Sequence, residues 1–294
     1  MRIFLLSLCL INSWILCSQT TDTLKHKQSG TTIYTEETFK SSRVILGQSV
    51  ETPPNGALTI LISHHFGALN SGAYEFFGLD QASTRIGLEY GINDFIGVGI
   101  GRSTYEKTFD GYLKFRVLRQ SKGKRNMPLS ISVIGNMAVN TLKLSDPKEK
   151  DYFDARLSYC TELILARKFG KIFSLQIAPT WVHKNLVATP EDHNNLFSIG
   201  TGISFRISDV ISLNGEYHYL IPGQHLSDVT NSISISCDIK TGQHVFQLFL
   251  TNSQGNFEQA FITETSGKWY NGDIYFGFNI HRLFTVKYPK TPKK

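Results

Sequence analysis

The sequence predicts an all-β protein, an antiparallel up-and-down transmembrane β-barrel of about 12 strands with long extracellular loops and short periplasmic turns. Three observations point there. Strand-like runs alternate between apolar and polar or small residues. Charges sit in the middle of these runs, on the face opposite the apolar one. The connections between runs alternate between short and long. A soluble sandwich turns its apolar face inward and its charges to water, whereas a membrane barrel turns the apolar face to lipid and the charges to a lumen.

The chain-level quantities agree. The 294 residues are 41% apolar and 18% charged, with a formal net charge of +6. No run of about 18 apolar residues lies beyond the N-terminus, which excludes a helical membrane protein but not a barrel, whose strands expose only alternate residues to lipid. Residues 1–18 read as a secretory signal: Arg2 supplies the positive region, Ile3 to Leu16 is apolar apart from Ser7, Cys9, Asn12 and Ser13, and cleavage after Ser18 leaves Gln19 first. Trp14, Ile15 and Leu16 before Cys17 disfavour lipidation there. Removal of the signal leaves Cys160 and Cys237. Strand parity puts these on opposite faces, so no disulfide between them is expected. No basic block with interleaved aromatics supports nucleic-acid binding. The tail 289–294 reads as a solvated basic end.

Residues 19–56 are polar and close on Pro53, Pro54 and Gly56, and Ser42 to Gly47 could form one short strand. This segment lies either in the periplasm or inside the barrel as a partial plug. The barrel is expected over 57–288. Its twelve runs are about Ala57–Phe66, Ala82–Tyr90, Phe95–Ser103, Gly111–Arg119, Pro128–Val139, Asp154–Arg167, Ile172–His183, Leu196–Phe205, Val210–Leu220, Ile233–Ile239, His244–Asn252 and Asp273–Phe284. In the second run Ile86, Leu88 and Tyr90 oppose Arg85, Gly87 and Glu89; in the fourth, Leu113, Phe115 and Val117 oppose Tyr112, Lys114 and Arg116. The eleventh has the weakest parity, because Phe249 shares a face with Gln247 and Thr251. Connections after even-numbered runs are tight, as at Gly91–Asp94, Lys168–Lys171, Arg206–Asp209 and Lys240–Gln243, with Gln120–Met127 the one moderate exception. Those after odd-numbered runs are mostly longer, up to Ser253–Gly272. An even strand number then puts both ends of the barrel on the short-turn, periplasmic side. Aromatics near the run ends, including Phe95, Phe109, Trp181, Tyr217, Tyr219, Trp269 and Tyr270, suit interfacial girdles.

Four stretches carry a family resemblance: RVILGQSVETPPNGAL at Arg43–Leu58, FFGLDQASTRIGLEYGI at Phe76–Ile92, VGIGRSTYEKTFDGYLKFRVLRQ at Val98–Gln120 and YFGFNIHRLF at Tyr275–Phe284. They resemble a family of bacterial outer-membrane β-barrel proteins of the kind classed as a domain of unknown function. The resemblance implies an outer-membrane β-barrel and implies no substrate.

Gly97, Gly99 and Gly101 alternate within a strand and are followed by another strand, so they are not a phosphate loop. They are expected to face the lumen and to make room for long side chains opposite. His64 and His65 are strand neighbours and cannot both face one metal, and His183 and His193 offer no zinc-ligand spacing. No cofactor or metal is expected. His225, Ser227 and Asn231 match the residue types of an outer-membrane phospholipase but fall in a loop beside Pro222 and Gly223, without a fixed base or oxyanion donors. No enzyme is expected. The informative set is the lumen-side charges: Arg85, Glu89, Lys114, Arg116, Arg156, Glu162 and Glu216. They read either as a packed, mutually paired filling or as a constriction that weakly favours anions. The functional expectation is therefore a narrow channel or ligand-binding barrel of the bacterial outer membrane, in contact with lipid and passing or binding a small anionic solute. The alternative is a barrel without conductance that binds a periplasmic partner or serves a structural role.

Overall fold

The computed structural model describes residues 31–143, 152–187, 189–224 and 228–287. The expected signal segment 1–18, His225 and Ser227, and the basic tail 289–294 lie outside the described residues. Twelve strands close into one antiparallel barrel: β2 (Ala57–Ala68), β3 (Ala82–Gly91), β4 (Ile96–Ser103), β5 (Phe109–Leu118), β7 (Ser130–Val139), β8 (Leu157–Phe169), β9 (Phe173–Lys184), β10 (Asn195–Arg206), β11 (Ile211–Leu220), β12 (Ser232–Thr241), β13 (His244–Thr251) and β14 (Tyr275–Thr285). Each pairs with its neighbours in sequence. Closure is by β14 against β2, in a register running from Tyr275 opposite Ala68 to Thr285 opposite Ala57. Two short strands stand apart: β1 (Thr32–Tyr34) pairs with β6 (Ser121–Gly123). That pairing accounts for the moderate length of the connection between β5 and β7, since the turn carries a strand that captures the N-terminal segment.

The period-two pattern sorts side chains as a membrane requires. Outward positions are exposed and apolar, for example Ile86, Ile100, Phe115, Val117 and Leu248, while Arg85, Glu89, Lys114, Glu162 and Glu216 alternate with apolar residues and are buried inside. The strand of weakest parity follows the same rule. Phe246 and Leu248 face out, Gln247 and Thr251 face in, and Phe249 is an inward aromatic stacked edge-on against His65. Its ring has room because Gly277 on the adjoining strand has no side chain. Cys160 is buried on the inner face and Cys237 lies on the outer one; both are free.

The lumen is filled, from two directions. From the periplasmic side, residues 38–52 enter between the strand ends, turn and leave. Ser42 to Gly47 is not a strand. It is one arm and the tip of a tight hairpin, in which Arg43 bridges to Gln48 and the Val44 amide donates to the Gly47 carbonyl at 2.9 Å. Val44, Ile45, Leu46, Ser49 and Val50 are all buried. From the other side, the connection 252–274 folds inward and carries the helix α1 (Glu258–Thr263), every residue of which is buried. Phe257, Phe261 and Ile262 give this segment an apolar surface that it could not leave in water.

Candidate functional site: the plugged lumen

A hairpin inside a barrel cannot use ladder hydrogen bonds for both of its edges, yet its buried N–H and C=O groups must be paired. Here the barrel wall supplies side chains that do so. Glu216 of β11 accepts three successive backbone amides, from Ile45 at 2.8 Å, Leu46 at 3.2 Å and Gly47 at 2.9 Å. His218 Nε2 lies 2.8 Å from the same carboxylate. Across the lumen, Lys114 Nζ of β5 donates to the carbonyls of Ser42 at 3.2 Å, Ser49 at 3.0 Å and Glu51 at 2.9 Å. A carboxylate gathers N–H groups on one side and an ammonium gathers C=O groups on the other. Neutral amides complete the cradle. Gln176 accepts from the Val50 amide at 2.9 Å and donates to the Gln48 carbonyl at 2.7 Å. Gln247 and Asn279 donate to the carbonyls of Val44 and Ile45, each at 2.9 Å.

The other charges expected in the lumen also have specific roles. Arg85 is buried and paired through Nε with Asp110 at 2.8 Å, with a second, shorter contact from Nη2. Its guanidinium lies over Gly101, where a Cβ would collide with it, and the Tyr112 ring lies over Gly99 in the same way. Gly97 faces Pro53 of the returning chain. Glu89 accepts from the Ser42 hydroxyl and lies 4.0 Å from Arg43 Nε. Arg116, nearer the periplasmic end, pairs with Glu51 at 3.1 Å. Glu162 accepts from the Cys160 thiol at 3.9 Å. Arg156 departs from the expectation. It sits in a 3-10 turn, Phe153–Arg156, before β8 begins, and donates to the carbonyls of Asn140 at 3.1 Å and Leu142 at 2.6 Å. The strand starts at Leu157, later than the alternation suggested, so Arg156 braces an extracellular loop and does not line the wall.

Residues that the sequence reading passed over hold the two insertions together. Glu258 of α1 accepts from Arg43 at 3.3 Å, from Gln48 at 3.1 Å and from Asn136 of β7 at 3.0 Å. The Phe261 ring packs on the His218 imidazole, with centroids 4.8 Å apart. The readable signal was an apolar cluster, Phe257, Ala260, Phe261 and Ile262, inside the longest extracellular connection. Asn231 caps the end of β11 by accepting from the Leu220 amide at 2.9 Å, which is a structural task.

The two mouths carry further charge. At the periplasmic one, burial alone would lift the Glu37 carboxyl. The hydrogen bond and charge of Lys240 and the charge of Arg206 outweigh it and hold the group below the usual carboxylate range. At the extracellular one, burial and the neighbouring Glu264 raise the Glu106 carboxyl, while Lys184 pairs with Glu264. Among the described residues no cluster of three or more His, Cys, Asp or Glu side chains is placed to hold a metal ion.

A closed twelve-stranded barrel with an apolar exterior, a polar interior, short turns at one end and long loops at the other is an outer-membrane β-barrel. The family model described as "Membrane bound beta barrel domain (DUF5777)" matches residues 39–284, and the chain belongs to that family. No functionally curated protein matches it in sequence. Similar solved structures include the NanC porin, at 8% identity and a TM-score of 0.48 over 77% of this chain and 98% of the porin. The KdgM porin follows at 8% identity and 0.45 over 77% and 98%. An outer membrane channel from Pseudomonas putida F1 stands at 10% identity and 0.46 over 80% and 98%. Likeness at this level carries no inference about transport.

Proposed function

We propose that the protein is a gated outer-membrane barrel, closed at rest by its own N-terminal hairpin and by the α1 connection that Arg43 and Gln48 of the hairpin hold through Glu258, and opened when the hairpin withdraws toward the periplasm and frees that connection to swing outward. The observation that carries this reading is the clamp formed by Glu216 and Lys114, which bind the hairpin through its backbone. A hairpin held by side-chain-to-backbone bonds, and entering and leaving at the same end, can leave without breaking any strand pair of the barrel. The reading involves no catalysis. Selectivity in the open state depends on which charges then face the solute. Arg85 stays paired with Asp110, and once the hairpin takes Glu51 away the remaining charges of the inner wall are Lys114 and Arg116 against Glu89, Glu162, Glu216 and Asp238. This inventory supports a near-neutral or weakly cation-favouring passage in place of the anion preference expected from the sequence. A barrel without conductance that binds a periplasmic partner is the second reading, favoured by α1 closing the other end. The test is single-channel recording in planar bilayers. Wild type should be silent with rare openings, and Lys114→Ala combined with Glu216→Ala should conduct in steps. A heat-modifiable, hence folded, double variant that stays silent would replace gating with the second reading.

A further inference from the structure

Two features of the outer wall share β13 and β14. The first is a pair of polar side chains on the lipid side, at the periplasmic rim. His244 opens β13 and stands opposite Arg282 of β14. Both have the parity of Phe246, Leu248, Phe278 and Ile280, which point outward. The second is an apolar groove of about 540 Å³, walled by Leu213, Ile235, Leu248, Leu250 and Phe276, with Cys237 among them. We propose that the two together bind one anionic glycerophospholipid of the periplasmic leaflet, its phosphate on Arg282 and His244 and an acyl chain in the groove. The site does not depend on the gating reading.

A charge on a lipid-facing wall calls for a counter-charge. The Arg282 guanidinium donates through Nη1 to the His244 imidazole and lies over the Phe284 ring, 5.1 Å from its centroid. His244 is stacked in turn on Phe246, with centroids 5.8 Å apart. These contacts hold the pair in place at the rim. They do not neutralise it: among the described residues no carboxylate lies within ion-pair reach of Arg282. Its Nε and Nη2 have no hydrogen-bond partner there either, and neither is buried. A phosphate supplies both the charge and the acceptors that this planar fork lacks. A head-group ammonium would find no carboxylate beside it, so an anionic lipid is preferred to a zwitterionic one.

The groove has its origin in the sequence. The outward series of β12 is Ile233, Ile235, Cys237 and Ile239, and Cys237 is its one short side chain. Cys237 stands between Leu213 of β11 and Leu248 of β13, and Gly215, the next outward position after Leu213, has no side chain. The depth also fits. Leu248 lies four residues along β13 from His244, about 13 Å at the rise of a strand. One leaflet is about half of the hydrocarbon core, or about 15 Å. A lipid held by its phosphate at Arg282 therefore brings its chain to the groove. Arg167 offers a contrast. It too points outward near the periplasmic end, over the Phe169 ring at 5.0 Å, but it belongs to β8, on the opposite side of the barrel.

The experiment is native mass spectrometry of the full chain in detergent, offered equal amounts of phosphatidylglycerol and phosphatidylethanolamine with the same acyl chains. Wild type should retain one phosphatidylglycerol in preference to phosphatidylethanolamine. Arg282→Gln should weaken that retention by about tenfold or more. Cys237→Trp, which fills the groove and leaves the arginine in place, should weaken it by about tenfold as well. Leu213→Trp fills the same groove from its other wall and should act alike. Arg167→Gln should retain the lipid as wild type does. All four substitutions are on the lipid face, and heat-modifiable migration reports that each barrel is folded. The proposal is overturned if wild type shows no preference for phosphatidylglycerol, if Arg282→Gln and Arg167→Gln lose retention equally, or if both tryptophan variants retain the lipid like wild type.

Discussion

Arg43 of the hairpin and Glu258 of α1 meet inside the barrel, Nη1 to Oε1 at 3.3 Å, with both side chains almost wholly buried. One residue arrives from the periplasmic end and the other from the extracellular end, so this contact is where the two fillings of the lumen become one. Arg43 also donates through Nη1 to the Leu46 carbonyl at 2.6 Å, which ties the contact to the hairpin tip.

Removing one partner should be costly, because the other is left charged and out of water. Glu258→Ala should lower stability by about 3–5 kcal/mol, measured by reversible unfolding in lipid. Arg43→Met combined with Glu258→Met should cost less than Glu258→Ala alone, since no charge is stranded, although Gln48 and Asn136 lose their acceptor. A single variant that loses less than about 1 kcal/mol would show that water reaches the pair.

The clamp at Glu216 predicts a change in access. Ser49 is fully buried in the hairpin. In a background carrying Cys160→Ala and Cys237→Ala, Ser49→Cys should react slowly with a water-soluble maleimide. Adding Glu216→Ala strips the acceptor from three amides. With charge-assisted bonds contributing about 1.5–3 kcal/mol each, hairpin opening and labelling should rise about tenfold or more. Unchanged labelling would mean that Lys114 and the amide side chains hold the hairpin without Glu216.

The two faces of the wall should respond differently to substitution. Phe115 faces out and is 42% exposed, so Phe115→Arg should cost about 2–4 kcal/mol near the midplane. At Gly99 the cost is crowding, because a methyl there collides with the Tyr112 ring. Gly99→Ala should cost about 1–3 kcal/mol, and much less in a Tyr112→Ala background. Additive losses in that double-mutant cycle would place the ring elsewhere.

How much of this was legible follows from what period-two patterning encodes. Alternation reports which way a side chain points, so the twelve strands, their register of inside and outside, and the lumen positions of Arg85, Glu89, Lys114, Glu162 and Glu216 could be read directly. Gly99 and Gly101 were readable as space for something, but Tyr112 and Arg85 as the occupants needed the register between strands. Arg156 failed because a polar alternation continues past the end of a strand into its loop with no mark of the boundary. The hairpin 42–50 was beyond reach for a different reason. Its stability comes from wall side chains far away in sequence, Lys114, Gln176, Glu216 and Gln247, and a local pattern carries no trace of them.

The periplasmic end of the hairpin should respond to acid. Glu37 connects residues 38–52 to two barrel strands, through Arg206 at the end of β10 and Lys240 near the end of β12. Burial opposes its charge, but those two cations prevail and its folded value lies below the unfolded one. A depressed carboxylate stabilises fully above the unfolded value of about 4.3 and loses that contribution as pH falls through the folded value. The attachment should therefore be constant from neutral pH down to about 5 and weaken only below about 4. Hydrogen exchange of the amides between Thr35 and Phe39, corrected for its intrinsic pH dependence, should show protection falling in that acid window. Glu37→Gln should lower protection at neutral pH and flatten the acid response. A fall centred near pH 6 in wild type, or an acid response that survives in Glu37→Gln, would assign the sensitivity to another group.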